Sequence, residues 1–475
     1  MLVMKFGGSS LADAARIRRV AELVRDTGLH DENATGDGRQ ALEAPVVVVS
    51  AMGGVTDRLF ALACAALTGR NGRQEALEQV EGLRRHHTAA LDALGGDLDA
   101  AATLDRYSGE LHDIVTGVSL LGELSPRSLD AIAAYGEKMS APLVAAALRA
   151  QGTAAEPISA EDLVVTDATF GNAVPNMDAT TRRVEERVMP LARAGTVPVV
   201  TGYIGATPDG VTTTLGRNGS DYSGAIVGAA VGAAEIWIWT DVDGVLSADP
   251  RLVPAARSLP ALSYAEAAEL AYFGSKVIHP RTIVPAIAAG VPIRIKNTFN
   301  PAHPGTLITA TSAAGEGAVK AVTVIRDLAL ITVEGLGMLG VPGIAARTFG
   351  AMGAAGINVL MFSQASSESN IALVIARREV QAAVNALDAA FATELSRHEV
   401  DAVRAQPGVA IITVVGAGMR GTPGVSGRLF GALGAAGVNV AAIAQGSSEI
   451  GISCVVRDGE AAEQALRAAH REFVE

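Results

Sequence analysis

Two stretches in the last third of the chain are copies of one another. Ala329–Ile375 aligns without a gap to Ala410–Val456, and the offset, 445 less 364 at the glutamines and 439 less 358 at the asparagines, is 81 throughout. Each copy reads strand, glycine loop, helix, strand, Ser-Ser-Glu turn, strand, so a small α+β module is duplicated in tandem, a pattern suited to paired small-ligand sites. The strand edges of two such similar modules can pair with each other or across subunits, and an edge left open is an aggregation hazard. One motif misleads here. Gly416, Gly418 and Gly421 fit the glycine spacing of a dinucleotide loop, but Gly335, Gly337 and Gly340 repeat it, and where an acid should hold a ribose about 20 residues on, the chain reads Gly437-Val438-Asn439-Val440-Ala441. The copies are also too short for a doubly wound nucleotide domain.

Ahead of the repeat, continuous apolar runs alternate with helical patterns: Leu2 to Phe6, Val46 to Ser50, Val197 to Tyr203, Glu235 to Thr240 and Pro292 to Lys296. Runs of this kind mark buried parallel strands in a three-layer α/β domain. From Arg58 to Leu148 the pattern is helical, read as a helical insertion plus two core helices, with His86-His87 on a solvated face. Thr27 to Ala44 lacks periodicity and reads as a surface loop. Asn300 to Gly317 is the best linker.

At 475 residues the chain has room for two or three domains. A net charge of −12 argues against nucleic acid or an anionic membrane as partner. Cys64 and Cys454 read as buried free thiols in a reducing compartment. The opening MLVMKFGG is too short and too soon broken by glycine for a signal peptide, and no apolar stretch reads as a membrane span, so a cytoplasmic location is expected.

Two loops carry chemistry. Gly216 to Ser223, GRNGSDYS, sets a guanidinium, a carboxylate and hydroxyls on a glycine-jointed loop before an Ala/Gly-rich helix. Arg217 can grip a carboxylate or phosphate bidentately, Asp221 can position a metal or a lysine, and backbone N–H groups can meet an anion at the helix start. The plainer alternative is a solvated turn with an N-cap. At the N-terminus, Lys5-Phe6-Gly7-Gly8 joins a strand to a helix without P-loop spacing, which serves either phosphate binding or a turn with a surface lysine.

Together these motifs resemble one family across nearly the whole chain: the aspartate kinases of the amino-acid-kinase superfamily, with two C-terminal ACT domains. The resemblance rests on KFGGSS at Lys5, VVSAMGGVT ending at Thr56, YGEKMS around Glu137, TLGRNGSDYS around Arg217, WTDVDGVLSADPR from Trp239 to Arg251, FGSKVIHP around Lys276 and the SSE repeats. The wording GRNGSDYS, IKNT and AQGSSE is most similar to the kinase half of fused aspartokinase/homoserine dehydrogenases. The chain stops at Glu475, where a dehydrogenase would begin, so a stand-alone version of that branch is expected.

The resemblance implies a three-layer amino-acid-kinase domain over 1–305 with a helical insertion, then α+β, ferredoxin-like ACT domains over 320–400 and 401–475, separate or interleaved. It implies phosphorylation of the L-aspartate side chain by ATP with Mg²⁺ carried on the nucleotide, the first step toward lysine, threonine and methionine. Lys5 and Asp221 would be catalytic, with Lys5 on the transferring phosphate and Gly7 and Gly8 as backbone donors. Arg217 would hold the substrate α-carboxylate and Glu137 its ammonium, with Ser50, Thr56 and Ser220 adding hydroxyls and Phe170 a wall. Glu137 alternatively pairs Lys138 or Arg149, and Thr56 is alternatively an N-cap. Thr240, Asp241, Arg251 and Lys276 would contact the nucleotide. Leu246 stands where lysine-sensitive enzymes often carry a tyrosine, so that contact is not carried over. Asn358, Gln364, Asn439 and Gln445 would bind an effector. Glutamine suits threonine, whereas Leu360 replaces the acid found in lysine-sensitive relatives, and a homodimer or dimer of dimers through residues beyond about Val322 is expected.

Overall fold

The computed structural model describes residues 1–29, 43–272, 280–311, 317–364, 366 and 369–475. Most of the Thr27–Ala44 loop, and Lys276, lie outside the described residues. The chain divides into two compact units, the first being Met1–Val245 with Pro260–Tyr264 and Val277–Ser312.

The strands of the first unit are β1 (Leu2–Phe6), β2 (Val46–Val49), β3 (Ala155–Ile158), β4 (Val197–Thr201), the hairpin β5 (Ile204–Ala206) and β6 (Thr212–Thr214), then β7 (Glu235–Thr240), β8 (Ala261–Ser263), β9 (Ile293–Asn297) and β10 (Thr306–Thr309). All but β5 and β6 form one sheet in the order β3-β4-β2-β1-β7-β9-β10-β8. From β3 to β9 neighbours run parallel, and β10 returns antiparallel to β9. Strand β2 is Val-Val-Val-Val and wholly buried, the composition of a strand covered on both faces. Met4 and Phe6 pack into the core shared with helices Ala14–Leu29 and Tyr135–Ala150. Lys5, one residue between them, meets Gly224 of helix Gly219–Ala230 on the opposite face, which gives the three layers.

The helical insertion is a pair, Gly69–Ala93 and Leu98–Leu121. Val80, Leu83, His87, Ala90 and Leu91 follow helical spacing and form its buried stripe. The expected solvated face at His86-His87 is therefore corrected: His87 is fully buried, its Nδ1–H donates to Leu83 O, and desolvation holds its pKa down at about 4. Cys64 is exposed rather than buried, while Cys454 is buried in the second unit, where desolvation pushes its thiol up to about 12.

The second unit comprises Ala313–Glu475 together with Leu246–Leu259 and Ala265–Lys276, so the contiguous 1–305 block read from the linker does not describe the packing. The reason is apolar: Ala248 and Val253 lie in one core with Val322, Ile412 and Leu466. Its strands are β11 (Ala321–Glu334), β12 (Met361–Gln364), β13 (Asn370–Ala376), β14 (Ala402–Val415), β15 (Ala442–Gln445) and β16 (Gly451–Arg457), in the order β12-β13-β11-β14-β16-β15. The long β11 and β14 pair along their length and serve both modules. Leu328–Glu334 pairs with β13 in the first module, while Ala321–Ile325 lies opposite Val415–Ile411, which belong to the second. A register shift between Ile325 and Leu328, with Asp327 at φ 60° and Gly408 at φ 77°, marks the handover on each strand. The modules are interleaved, and each copy carries a second helix, Val380–Ala390 or Glu460–Phe473, beyond the repeat read from sequence. Among the described residues no helix is long and apolar enough to cross a membrane.

Candidate active site

In the first sheet the chain builds outward from β1 to β2 on one side and later from β7 on the other, so the switch point lies between β1 and β7. Open α/β sheets bind ligands beyond the carboxyl ends of strands at such a point. A cleft of about 940 Å³ opens there, lined by the end of β1, the turn after β2 and the loop before helix Gly219–Ala230. Helices Val55–Ala65 and Gly219–Ala230 both begin at this cleft, and two N-termini favour negative charge.

Lys5 is 6% exposed, and its Nζ lies 2.5 Å from Asp221 Oδ1 in the first turn of helix Gly219–Ala230. The approach of the GRNGSDYS loop depends on glycine: a Cβ on Gly219 would sit 2.6 Å from Tyr203 Cδ2. Arg217 is exposed in the cleft and makes no hydrogen bond or ion pair with any described residue. Glu137 is nearly fully buried in the first turn of helix Tyr135–Ala150, within reach of Ser220 Oγ at 3.4 Å, and its Oε2 has no hydrogen-bond partner among the described residues. Neither alternative cation serves it, since Lys138 pairs with Glu161 and Arg149 with Asp97. Burial raises its pKa to about 8 against the opposing pull of backbone amides, Ser220 and Lys5.

Lys5, Gly8, Ser50, Thr56, Glu137, Arg217, Ser220 and Asp221 all line the one cleft. The N-cap of helix Val55–Ala65 is Gly54, not Thr56. Several expected contacts are placed elsewhere. The Gly7 amide donates to Trp239 O at 3.3 Å and so is engaged by β7. Phe170 does not line the cleft, and the aromatics that do are Phe60 and Tyr203, the latter held at φ 66°. Thr240 and Asp241 end β7 outside the cleft lining, and Thr240 Oγ1 donates to Asp241. Arg251 belongs to the second unit and is ion-paired with Asp249 at 2.6 Å. Asp57, Phe60, Asp130, Tyr203 and Asn218 line the cleft without having been singled out in sequence. Only Asn218 had a local signal, lying between Arg217 and Gly219 with φ 55° at the helix start. Among the described residues no three His, Cys, Asp or Glu side chains gather into a metal site. Asp221 beside Lys5 suits a Mg²⁺ that arrives on nucleotide phosphates, which needs only one or two protein carboxylates.

In the second unit, Gln364 and Gln445 end β12 and β15, while Asn358 and Asn439 stand in the loops before those strands; all four are exposed.

A cleft with a buried lysine–aspartate pair and two helix N-termini on this sheet defines a phosphoryl-transfer fold, and comparison with known proteins agrees. The amino acid kinase family profile matches residues 1–297, and an ACT-domain profile matches 331–391 and 412–473. The chain belongs to the amino acid kinase family, among the aspartokinases. Aspartokinase 2, chloroplastic, of Arabidopsis thaliana is 34% identical over 481 residues, covering 100% of this chain and 84% of its own. The bifunctional aspartokinase/homoserine dehydrogenase 2, chloroplastic, of the same plant is 38% identical over 480 residues, 99% of this chain; the chain spans 50% of that relative's length. The crystal structure of E. coli aspartokinase III in complex with aspartate and ADP (R-state) superposes with a TM-score of 0.79 at 29% identity over 100% of both chains.

Proposed function

We propose that this chain transfers the γ-phosphoryl group of ATP to the side-chain carboxylate of L-aspartate, giving 4-phospho-L-aspartate and ADP. The observation that carries this reading is a complementary pair of groups in one cleft that find no partner among the described residues: the guanidinium of Arg217 and Glu137 Oε2. An α-amino acid presents a carboxylate to the first and an ammonium to the second. Its side chain then faces a phosphate held by Lys5, Gly8 and the helix N-termini. Two anions must meet, so catalysis rests on positioning and charge neutralisation, with Mg²⁺ supplied on ATP sharing the phosphate charge. A coupled ADP-release assay with aspartate, glutamate and homoserine tests the reading; ADP release with glutamate or homoserine but not aspartate overturns it.

The raised pKa of Glu137 gives a prediction with a definite sign. The ammonium needs the carboxylate form, which below about 8 is the minority species, so binding must release a proton. The aspartate KM should fall by up to about tenfold per pH unit from pH 6 toward 8 and then level off. Glu137→Gln should remove that slope while raising KM at every pH. For folding, the same group ionises from about 4.5 in the unfolded chain but only near 8 when buried, so its contribution to stability declines as pH rises between those values.

The ACT modules are proposed to bind threonine, with Gln364 and Gln445 at its polar end, in a homodimer assembled through the second unit, and a cytoplasmic location is proposed with them. Gln364→Ala and Gln445→Ala should each raise the threonine concentration for half-inhibition by about tenfold, with uninhibited turnover intact, because the effector acts by shifting a conformational equilibrium. Calorimetry showing no threonine binding, or inhibition by lysine instead, would reverse the assignment, and a monomer in solution scattering would remove the dimer.

A further inference from the structure

The cleft wall holds a carboxylate that the kinase reading does not use. Asp130, near the end of helix Pro126–Ala133, is 3% exposed and forms no ion pair with any described residue. Instead it accepts three hydrogen bonds, all 2.8 Å long. Its Oδ2 takes the backbone N–H groups of Gly171 and Thr214, and its Oδ1 takes the Thr214 hydroxyl. Desolvation raises its pKa while these three donors oppose the rise. A buried charge without a counter-ion is costly, and it persists where several oriented donors need an acceptor.

Those bonds join three separate cleft segments: the helix, the turn at Gly171 and the end of β6. The join is reinforced by Ala173 N donating to Thr214 O at 2.9 Å and by Leu215 N donating to Tyr203 O at 2.8 Å. Gly216 follows at φ 81°, where a Cβ would lie 2.9 Å from Asn172 Oδ1 and 3.1 Å from Gly171 O. Arg217 comes next. Its side chain has no partner among the described residues, so its place is set by the backbone that leads to it, and that backbone is fixed at Thr214.

We infer that Asp130 is a positioning residue for substrate recognition: by clamping Thr214 to Gly171 it holds the Arg217 guanidinium where the α-carboxylate of the amino acid arrives. The inference rests on the proposed kinase activity and adds a residue to it. Asparagine weakens the clamp: with its oxygen at the Oδ2 position it still accepts both backbone N–H groups, but without the charge that strengthens them, and its NH2 group then faces the Thr214 hydroxyl, whose bond must reverse.

The test is a double-mutant cycle with Asp130→Asn and Arg217→Lys, measuring kcat, the KM for aspartate and ATP, and Tm. Asp130→Asn alone should raise the aspartate KM by about tenfold, with kcat and the ATP KM within about twofold of wild type. In the Arg217→Lys background its further effect on aspartate KM should shrink to within about twofold, since the two residues act through one contact. Equal fold-changes in both backgrounds, or an ATP KM that rises in step, would overturn the inference and leave Asp130 a structural residue. Should Asp130→Asn fail to fold, Thr214→Val, which removes only the hydroxyl bond, gives the same cycle with a smaller amplitude. A wild-type enzyme that phosphorylates a different amino acid would strike the proposed substrate, and the cycle would then be read with that substrate.

Discussion

Lys5→Ala should lower kcat by about two to three orders of magnitude while the aspartate KM changes little, because a cation aimed at charge that develops on the transferring phosphoryl group acts mainly in the transition state. The structure gives the reason for expecting so large an effect. Lys5 emerges from a central strand, is almost wholly buried, and is held against Asp221 at 2.5 Å, so its charge is oriented before any substrate arrives. In that low-dielectric position the ammonium is worth more than a surface lysine, and water cannot replace it without reorganising. Removal also leaves Asp221 without its counter-ion. Circular dichroism and Tm should accompany the kinetics, and Lys5→Met, which keeps the bulk of the stem, should reproduce the kcat loss with less effect on Tm. Turnover within about threefold of wild type in either variant would remove Lys5 from the mechanism.

The sequence made the kinase sheet legible where strands are long and buried. The runs Leu2 to Phe6, Val46 to Ser50, Val197 to Tyr203, Glu235 to Thr240 and Pro292 to Lys296 each hold a strand of the sheet. The three-residue β8 and the Ala-Glu-Pro-Ile of β3 carry no such run; their pairing is decided by neighbours far away in sequence. The interleaving of the two modules was beyond local pattern for the same reason: β11 and β14 each serve both cores through a bulge, and only their partners reveal which half belongs where. At the cleft, residues with strong charge in glycine-rich loops stood out, whereas Tyr203 and Asp130 did not. Tyr203 owes its position to a positive φ, and Asp130 to hydrogen bonds spanning 41 and 84 residues. Phe170 was expected at the wall from the resemblance, yet sequence proximity to the cleft-lining Gly171 did not bring the ring itself to the lining. His87 shows the converse, since a polar residue at core spacing is buried by its helix regardless of its type.

Arg217→Lys should raise the aspartate KM by about one to two orders of magnitude with the ATP KM unchanged, because a point charge on a flexible stem does not reproduce two parallel N–H donors. The size of the effect follows from what surrounds the guanidinium. Among the described residues it has no partner to lose, so the change falls on the complex with substrate. The opposite end of the substrate supplies the control: Glu137→Gln should also raise aspartate KM but should flatten the pH profile, whereas Arg217→Lys should leave the slope below about pH 8 in place. If Arg217→Lys shifted the ATP KM and left aspartate unaffected, the guanidinium would belong to the nucleotide phosphates. The α-carboxylate would then have to be held by the other donors of the cleft, the N-terminus of helix Val55–Ala65 and the hydroxyls of Ser50 and Thr56.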